Sequence, residues 1–202
     1  MANNLTTMIS ELILTRMCHD VIGISGTVAN AVELLEDGDL DFLEDITNNL
    51  KTSSSIMNAR LKFFRLAFGL SNANLSDPAL VFKTANDYLS TIGSKNYPIN
   101  LKMNPIPQDM AKIALIAIMI VADTLIKGGN IEIGYNDNGL FVKSETPVIA
   151  KEKISSVIAC IDNSAPQYTA QFAPIFYLKE LLSDSDYNLY GVDSNSLALF
   201  VK

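Results

Sequence analysis

"LTRMCHDVIGISGTVANAVELLEDG", residues 14–38, carries the single histidine of a 202-residue chain inside a run with helical spacing. Ile13, Met17, Val21, Ile24, Val28, Ala31 and Leu35 recur at steps of three and four, which puts them on one face of a helix turning about 100° per residue. The stripe predicts a helix over 5–36, stopped by Gly38. Asp39 or Asp41 can cap the next helix, and Glu44 completes a capping box after Asp41. That second helix carries Leu43, Ile46, Leu50, Met57, Leu61, Phe64 and Phe68, and Gly69 is placed to end it. A link of a few residues makes the two helices antiparallel. A lone pair cannot cover two wide apolar stripes, so the expectation is a homodimer joined as a four-helix bundle.

Outward from the hairpin, "GLSNANLSDPA" (69–79) is polar and turn-rich, and divides a domain at 1–70 from one at 76–202. The second part mixes periods. It reads as a helix over Asp77–Thr91 and an extended segment at Tyr97–Met103. A helix over Gln108–Lys127 follows, apolar nearly all round and so sandwiched rather than surface-lying. Ile131–Tyr135 and Leu140–Ser144 flank Asn136-Asp137-Asn138-Gly139, a β-hairpin. Helices at Ala150–Ile161 and Gln167–Leu182 precede a last hairpin, Tyr187–Gly191 with Leu197–Val201. The whole is an α+β fold: a helical hairpin, then an α/β two-layer sandwich.

A hydrophobic content of 49% with positive mean hydropathy excludes a disordered chain. Net charge −7 argues against nucleic acid or an anionic membrane as partner. Cys18 and Cys160 give neither a disulfide framework nor metal-ligand spacing, which fits reduced thiols. The N-terminus has no basic segment leading into an apolar run. The longest uncharged apolar run, Ile113–Ala122, is about half of what a membrane crossing needs. A soluble cytoplasmic protein is expected.

On the helical wheel His19 lies roughly 150° from the centre of the apolar stripe and faces outward. Arg16 and Gly23 flank it at i−3 and i+4, and Asp20 sits nearer the stripe edge. Gly23 and Gly26 each cost the helix about 1 kcal/mol relative to alanine, a cost best accepted where another surface comes close. From position alone, an ordinary solvated histidine remains open beside a reactive one. A zinc or haem site lacks the further ligands it needs, and a general base lacks a partner nucleophile.

"CHDVIGISGTVANAVELLED" (18–37) with "FFRLAFG" (63–69) resembles the ChpT-type histidine phosphotransferases of alphaproteobacteria, and more broadly the phosphoacceptor helices of sensor histidine kinases. Cys18, His19, Asp20, Glu33, Leu34, Leu35, Glu36, Asp37, Arg65, Ala67, Phe68 and Gly69 carry the likeness. Gly23-Ile24 stands where the family has Ser-Pro. In "IVADTLIKGGNIEI" (120–133), Thr124 stands where a kinase has its magnesium-binding asparagine, and no glycine-rich nucleotide box follows. The resemblance implies a degenerate histidine-kinase ATPase-like sandwich without ATP. It also implies transfer of a phosphoryl group from a receiver-domain aspartate onto His19 and on to response-regulator receivers.

In that role His19 and Asp20 are the catalytic residues, Asp20 orienting the ring. The chain has no cofactor of its own; magnesium arrives with the receiver. The upstream partner is the receiver domain of a hybrid histidine kinase, with no nucleic acid and no membrane involved. His19 lies level with about Ser55–Met57 of the second helix, where Lys51, Ser55, Asn58 and Lys62 share an outward face. With Ile22, Gly23 and Gly26 they make a small-residue, mildly basic docking shelf. Arg16 either steadies the phosphoryl group or pairs with nearby aspartates. Two rival readings are a non-catalytic dimeric scaffold for receivers and an ATP-dependent kinase fragment.

Overall fold

The computed structural model describes residues 2–36, 42–70, 75–193 and 196–202. Helix α1 (Ala2–Glu36) is about 50 Å long at 1.5 Å per residue, and α2 (Leu43–Phe68) packs along it. Ile13 and Ala31 of α1 and Ile46 of α2 are buried, as the periodicity predicts. The capping residues expected at the turn, Gly38, Asp39 and Asp41, lie outside the described residues, and Phe42 is the N-cap of α2.

Asp77 caps α3 (Pro78–Ile92): its carboxylate accepts from the backbone N–H groups of Ala79 and Leu80, and Pro78 fills the first helical position. Strand β1 (Ile99–Met103) leads through a short 3₁₀ turn into α4 (Ala111–Ala122). Every residue of α4 except Lys112 is buried, because the helix is enclosed by the sheet on one side and by α2, α3 and α6 on the other. The expected sandwiched position is what the structure shows.

Strands β2 (Gly129–Asn136) and β3 (Gly139–Glu145) form the expected hairpin, with Asn136 opposite Gly139. Helices α5 (Lys151–Ile161) and α6 (Ala173–Leu182) precede β4 (Leu189–Asp193) and β5 (Leu197–Val201). The sheet order is β1-β2-β3-β5-β4; β1 and β2 run parallel and the other pairs antiparallel. No helix among the described residues is long and apolar enough to cross a membrane.

Of the boundaries that differ from expectation, three have a visible physical cause. α4 ends at Ala122, not Lys127. Thr124 and Leu125 donate three residues back, to Val121 and Ala122, and the Thr124 hydroxyl also takes the Val121 carbonyl. These tighter bonds replace the α-helical ladder. α6 begins at Ala173 rather than Gln167, with Pro174 in its first turn and successive turns over 167–172 before it. β4 sits two residues later than expected. Gly191 is inside it, and a Cβ there would come within 3.0 Å of Ile161 and 3.2 Å of Ile158 on α5. This glycine is a close approach between strand and helix, not a strand end.

The helical hairpin and the sandwich meet in a core seam. Phe63 of α2, fully buried, stacks on Tyr88 of α3 with ring centroids 3.8 Å apart, and Phe64 contacts the same tyrosine edge-on. Phe68 packs against Tyr177 of α6. The aromatic end of α2 therefore belongs to the core of the second half, which holds the long hairpin at a set angle to the sheet.

Candidate functional site

His19 lies midway along α1, and its side chain is 87% exposed. Just beside it, the polar seam between the two halves begins. Arg16 and Asp20, one turn apart, form an ion pair at 3.0 Å. The same guanidinium grips Asp123, at the end of α4, with two bonds of 2.9 and 3.1 Å, and reaches the Gln171 carbonyl at 3.4 Å. Burial works against the Arg16 charge, but Asp123 and Asp20 outweigh it and hold its pKa above the usual value. At Asp123 burial pushes the pKa up, Arg16 pulls it back, and the Asp20 charge adds to the rise.

On the other side, Arg60 of α2 donates to the main-chain carbonyl of Asp20 at 2.6 Å and to the carbonyl and hydroxyl of Thr91 on α3. Two arginines thus tie the segment around His19 to three other elements. The imidazole faces an open groove of about 400 Å³ whose walls come from α1, from Asp123, from Lys153 of α5, and from Ala170 and Gln171 of the loop before α6. Lys153 gives one hydrogen bond, 3.2 Å, to the Asp123 carbonyl.

The nearer oxygen of Asp20 lies 3.9 Å from His19 Nδ1, beyond hydrogen-bond reach, and its other oxygen is held by Arg16. The expected orienting bond is therefore not made in this conformation. Arg16, offered as a phosphoryl contact, has every nitrogen committed inside the chain. Ile22 is 68% exposed, and a Cβ on Gly23 or Gly26 would meet nothing within 4 Å, so this flank of α1 is bare. Lys51, Ser55, Asn58 and Lys62 are all exposed. Ser55, Asn58 and Lys62 line a second groove, with Lys83 and Ser90 of α3, rather than the one that holds His19. No group of three or more His, Cys, Asp or Glu side chains among the described residues is placed to hold a metal ion.

No protein-family model matches the chain. Over 65 residues, 32% of its length, it is 40% identical to the protein phosphotransferase ChpT of Brucella abortus (strain 2308), and the matched stretch spans 30% of that relative. A solved structure described as a bacterial phosphotransferase superposes with a TM-score of 0.76 over 96% of this chain and 95% of the other, at 20% identity. The chain has the fold of a bacterial phosphotransferase.

Within that phosphotransferase fold, sequence reasoning passed over Arg60, Asp123, Lys153 and Gln171. Asp123 and Arg16 are 107 residues apart, and no local pattern joins them. One signal was available: a lone carboxylate at the end of an otherwise buried apolar helix calls for a cation from elsewhere. Lys153 and Gln171 sit in ordinary polar stretches, and nothing in their spacing marks them.

Proposed function

We propose that this chain is a histidine phosphotransferase of a phosphorelay, with His19 as the phosphoacceptor. The carrying observation is the placement of its single imidazole, exposed at mid-helix against a groove walled by both halves of the molecule. The local identity to a named phosphotransferase and the full-length fold likeness support the same reading.

In the reaction, an unprotonated ring nitrogen of His19 attacks the phosphorus of a receiver's aspartyl phosphate. The bond from phosphorus to the carboxylate oxygen breaks, a phosphorus–nitrogen bond forms, and the aspartate departs as a carboxylate. The same steps in reverse load a second receiver. Charge neutralisation by magnesium belongs to the receiver's own site. Asp20 is the positioning residue: an adjustment of about 1 Å brings its free oxygen into hydrogen-bond range of Nδ1, which leaves the other nitrogen to react. The bare flank at Ile22, Gly23 and Gly26, and the exposed Lys51, Ser55, Asn58 and Lys62, serve as docking surface.

The second half is read as a kinase ATPase-like domain that has lost its nucleotide. Thr124 is buried, its hydroxyl is spent on Val121, and the cavity beside it is about 10 Å³, room for roughly one water. The hairpin is read as half of a homodimeric bundle. Leu14, Ile22 and Val32 of α1 lie outside the expected stripe and Leu43 and Leu61 of α2 within it, and all five are exposed apolar side chains.

The test is to mix the protein with a phosphorylated receiver domain and look for acid-labile, alkali-stable label. Wild type takes up label and His19→Ala does not. Label on His19→Ala, or none on wild type with a panel of receivers, overturns the assignment. Label from ATP alone would favour the kinase reading instead.

A further inference from the structure

Among the described residues two permanent cations line the His19 groove, and one of them is lightly held. Each nitrogen of Arg16 is already bonded, to Asp20, Asp123 or the Gln171 carbonyl, with four of its five donors used. Lys153 lines the same groove, is exposed, and spends a single donor on the main-chain carbonyl of Asp123. An ammonium group has three donors, so two of them have no acceptor among the described residues. The charges in the groove lead to the same residue. Asp20 and Asp123 are balanced by Arg16 and Lys153 together; without Lys153 the groove is net negative and repels an incoming anion.

The geometry points to Lys153 as the phosphoryl-binding residue of this site: its ammonium meets the oxygens of the phosphoryl group carried on His19. The inference rests on the phosphotransferase reading and deepens it. A phosphoryl group on the exposed imidazole projects a dianion into the groove of about 400 Å³ that Lys153 lines. The lysine stem is flexible and its contact with Asp123 is one bond at 3.2 Å, easily exchanged for a charge-assisted bond to phosphate oxygen. No bond is made or broken by Lys153 itself; it offsets charge during attack and holds the phosphohistidine afterwards. This gives the second half of the molecule a chemical task that needs no nucleotide. It delivers a cation across the seam to a histidine on the first half.

The experiment needs no partner protein. Phosphoramidate transfers its phosphoryl group to imidazole with loss of ammonia, and the chain's one histidine makes the labelled position unambiguous. The ³¹P resonance of the phosphohistidine is followed against pH in wild type, Lys153→Met and Lys153→Arg, with circular dichroism to check the fold. A nearby cation lowers the pH at which the dianionic phosphoryl group takes up a proton. The expected result is a midpoint raised by about 0.5 to 1 pH unit in Lys153→Met, scaled down from a buried pair for exposure, and restored in Lys153→Arg. Identical midpoints in all three proteins overturn the inference while leaving receiver exchange at His19 untouched. A wild type that exchanges no phosphate with receivers fails the parent reading instead, and the two failures are told apart by the two assays.

Discussion

The Arg16–Asp123 pair joins the helix that bears His19 to the end of α4, and its energetics can be worked from the structure. Both side chains are mostly shielded, at 15% and 20% exposure, and Asp20 shares the guanidinium at 16%. Arg16→Met leaves two shielded carboxylates without a partner. Breaking a buried pair costs about 3–5 kcal/mol, and the residual exposure here brings the expected cost to the lower end, about 3 kcal/mol. Asp123→Leu leaves Arg16 paired with Asp20 and costs about 1 kcal/mol. The double variant is expected to cost about 2 rather than 4 kcal/mol, a coupling of about 2. Urea unfolding at neutral pH measures all four corners, and Arg16→Met should melt about 6–12 °C below wild type. The acid dependence adds a sign. Asp123 has a folded pKa above its ordinary value, and losing Arg16 raises it further. Between the unfolded and folded values the native chain binds the proton more tightly, so stability from this group is lost as pH rises through the folded pKa. The penalty of Arg16→Met therefore shrinks on acidification from neutral pH, as Asp123 takes up its proton. A coupling under about 0.5 kcal/mol, or a penalty that grows on acidification, refutes the argument.

Other expectations follow from single contacts. Phe63→Ala removes a fully buried ring stacked on Tyr88 and should cost about 3–5 kcal/mol, read by denaturant midpoint. Asp77→Ala removes the α3 cap and should cost about 1 kcal/mol by the same measurement. Gly191→Val drives a branched side chain into Ile158 and Ile161 and should cost about 1–3 kcal/mol, while Gly191→Ala should cost less. Leu14→Glu alters a side chain 61% exposed, so the fold should hold; sedimentation should show wild type as a dimer and the variant shifted to monomer.

Periodicity exposed what depends on one face of one element. The stripe from Ile13 to Leu35 placed α1, the Asp77-Pro78 pair placed the start of α3, and Asn136–Gly139 placed a hairpin, because each is a local preference that the fold leaves in force. The all-apolar stretch 113–122 announced its own enclosure. What stayed hidden depends on meetings between distant segments. The end of α4 is set where Asp123 is captured by Arg16 and Thr124 turns back on Val121, and neither event has a signature within a window of the chain. Gly191 looks like a strand end until α5 is laid against it. Arg16 was legible as a choice between phosphate and aspartate; its bonds to Asp123, 107 residues away, were not.

Helix α1 is weakly patterned because it serves several surfaces at once, and their angular order explains why the histidine stands where it does. Ile13 and Ala31 face the hairpin interior; Leu14, Ile22 and Val32 form an exposed apolar flank; Arg16 and Asp20, a turn apart, form the seam with the second half. His19 precedes Asp20 by one residue and so is rotated about 100° from it. That one step takes the imidazole out of the ion-paired seam yet keeps it at the seam's edge, within the groove that Lys153 also lines. One residue later the ring would compete with Arg16 and Asp123 for space and charge. One residue earlier, at Cys18, it would lie on the apolar flank between Leu14 and Ile22, away from every charged group of the second half. An exposed imidazole with charged groups beside it needs a position between those two faces, and on this helix position 19 provides it.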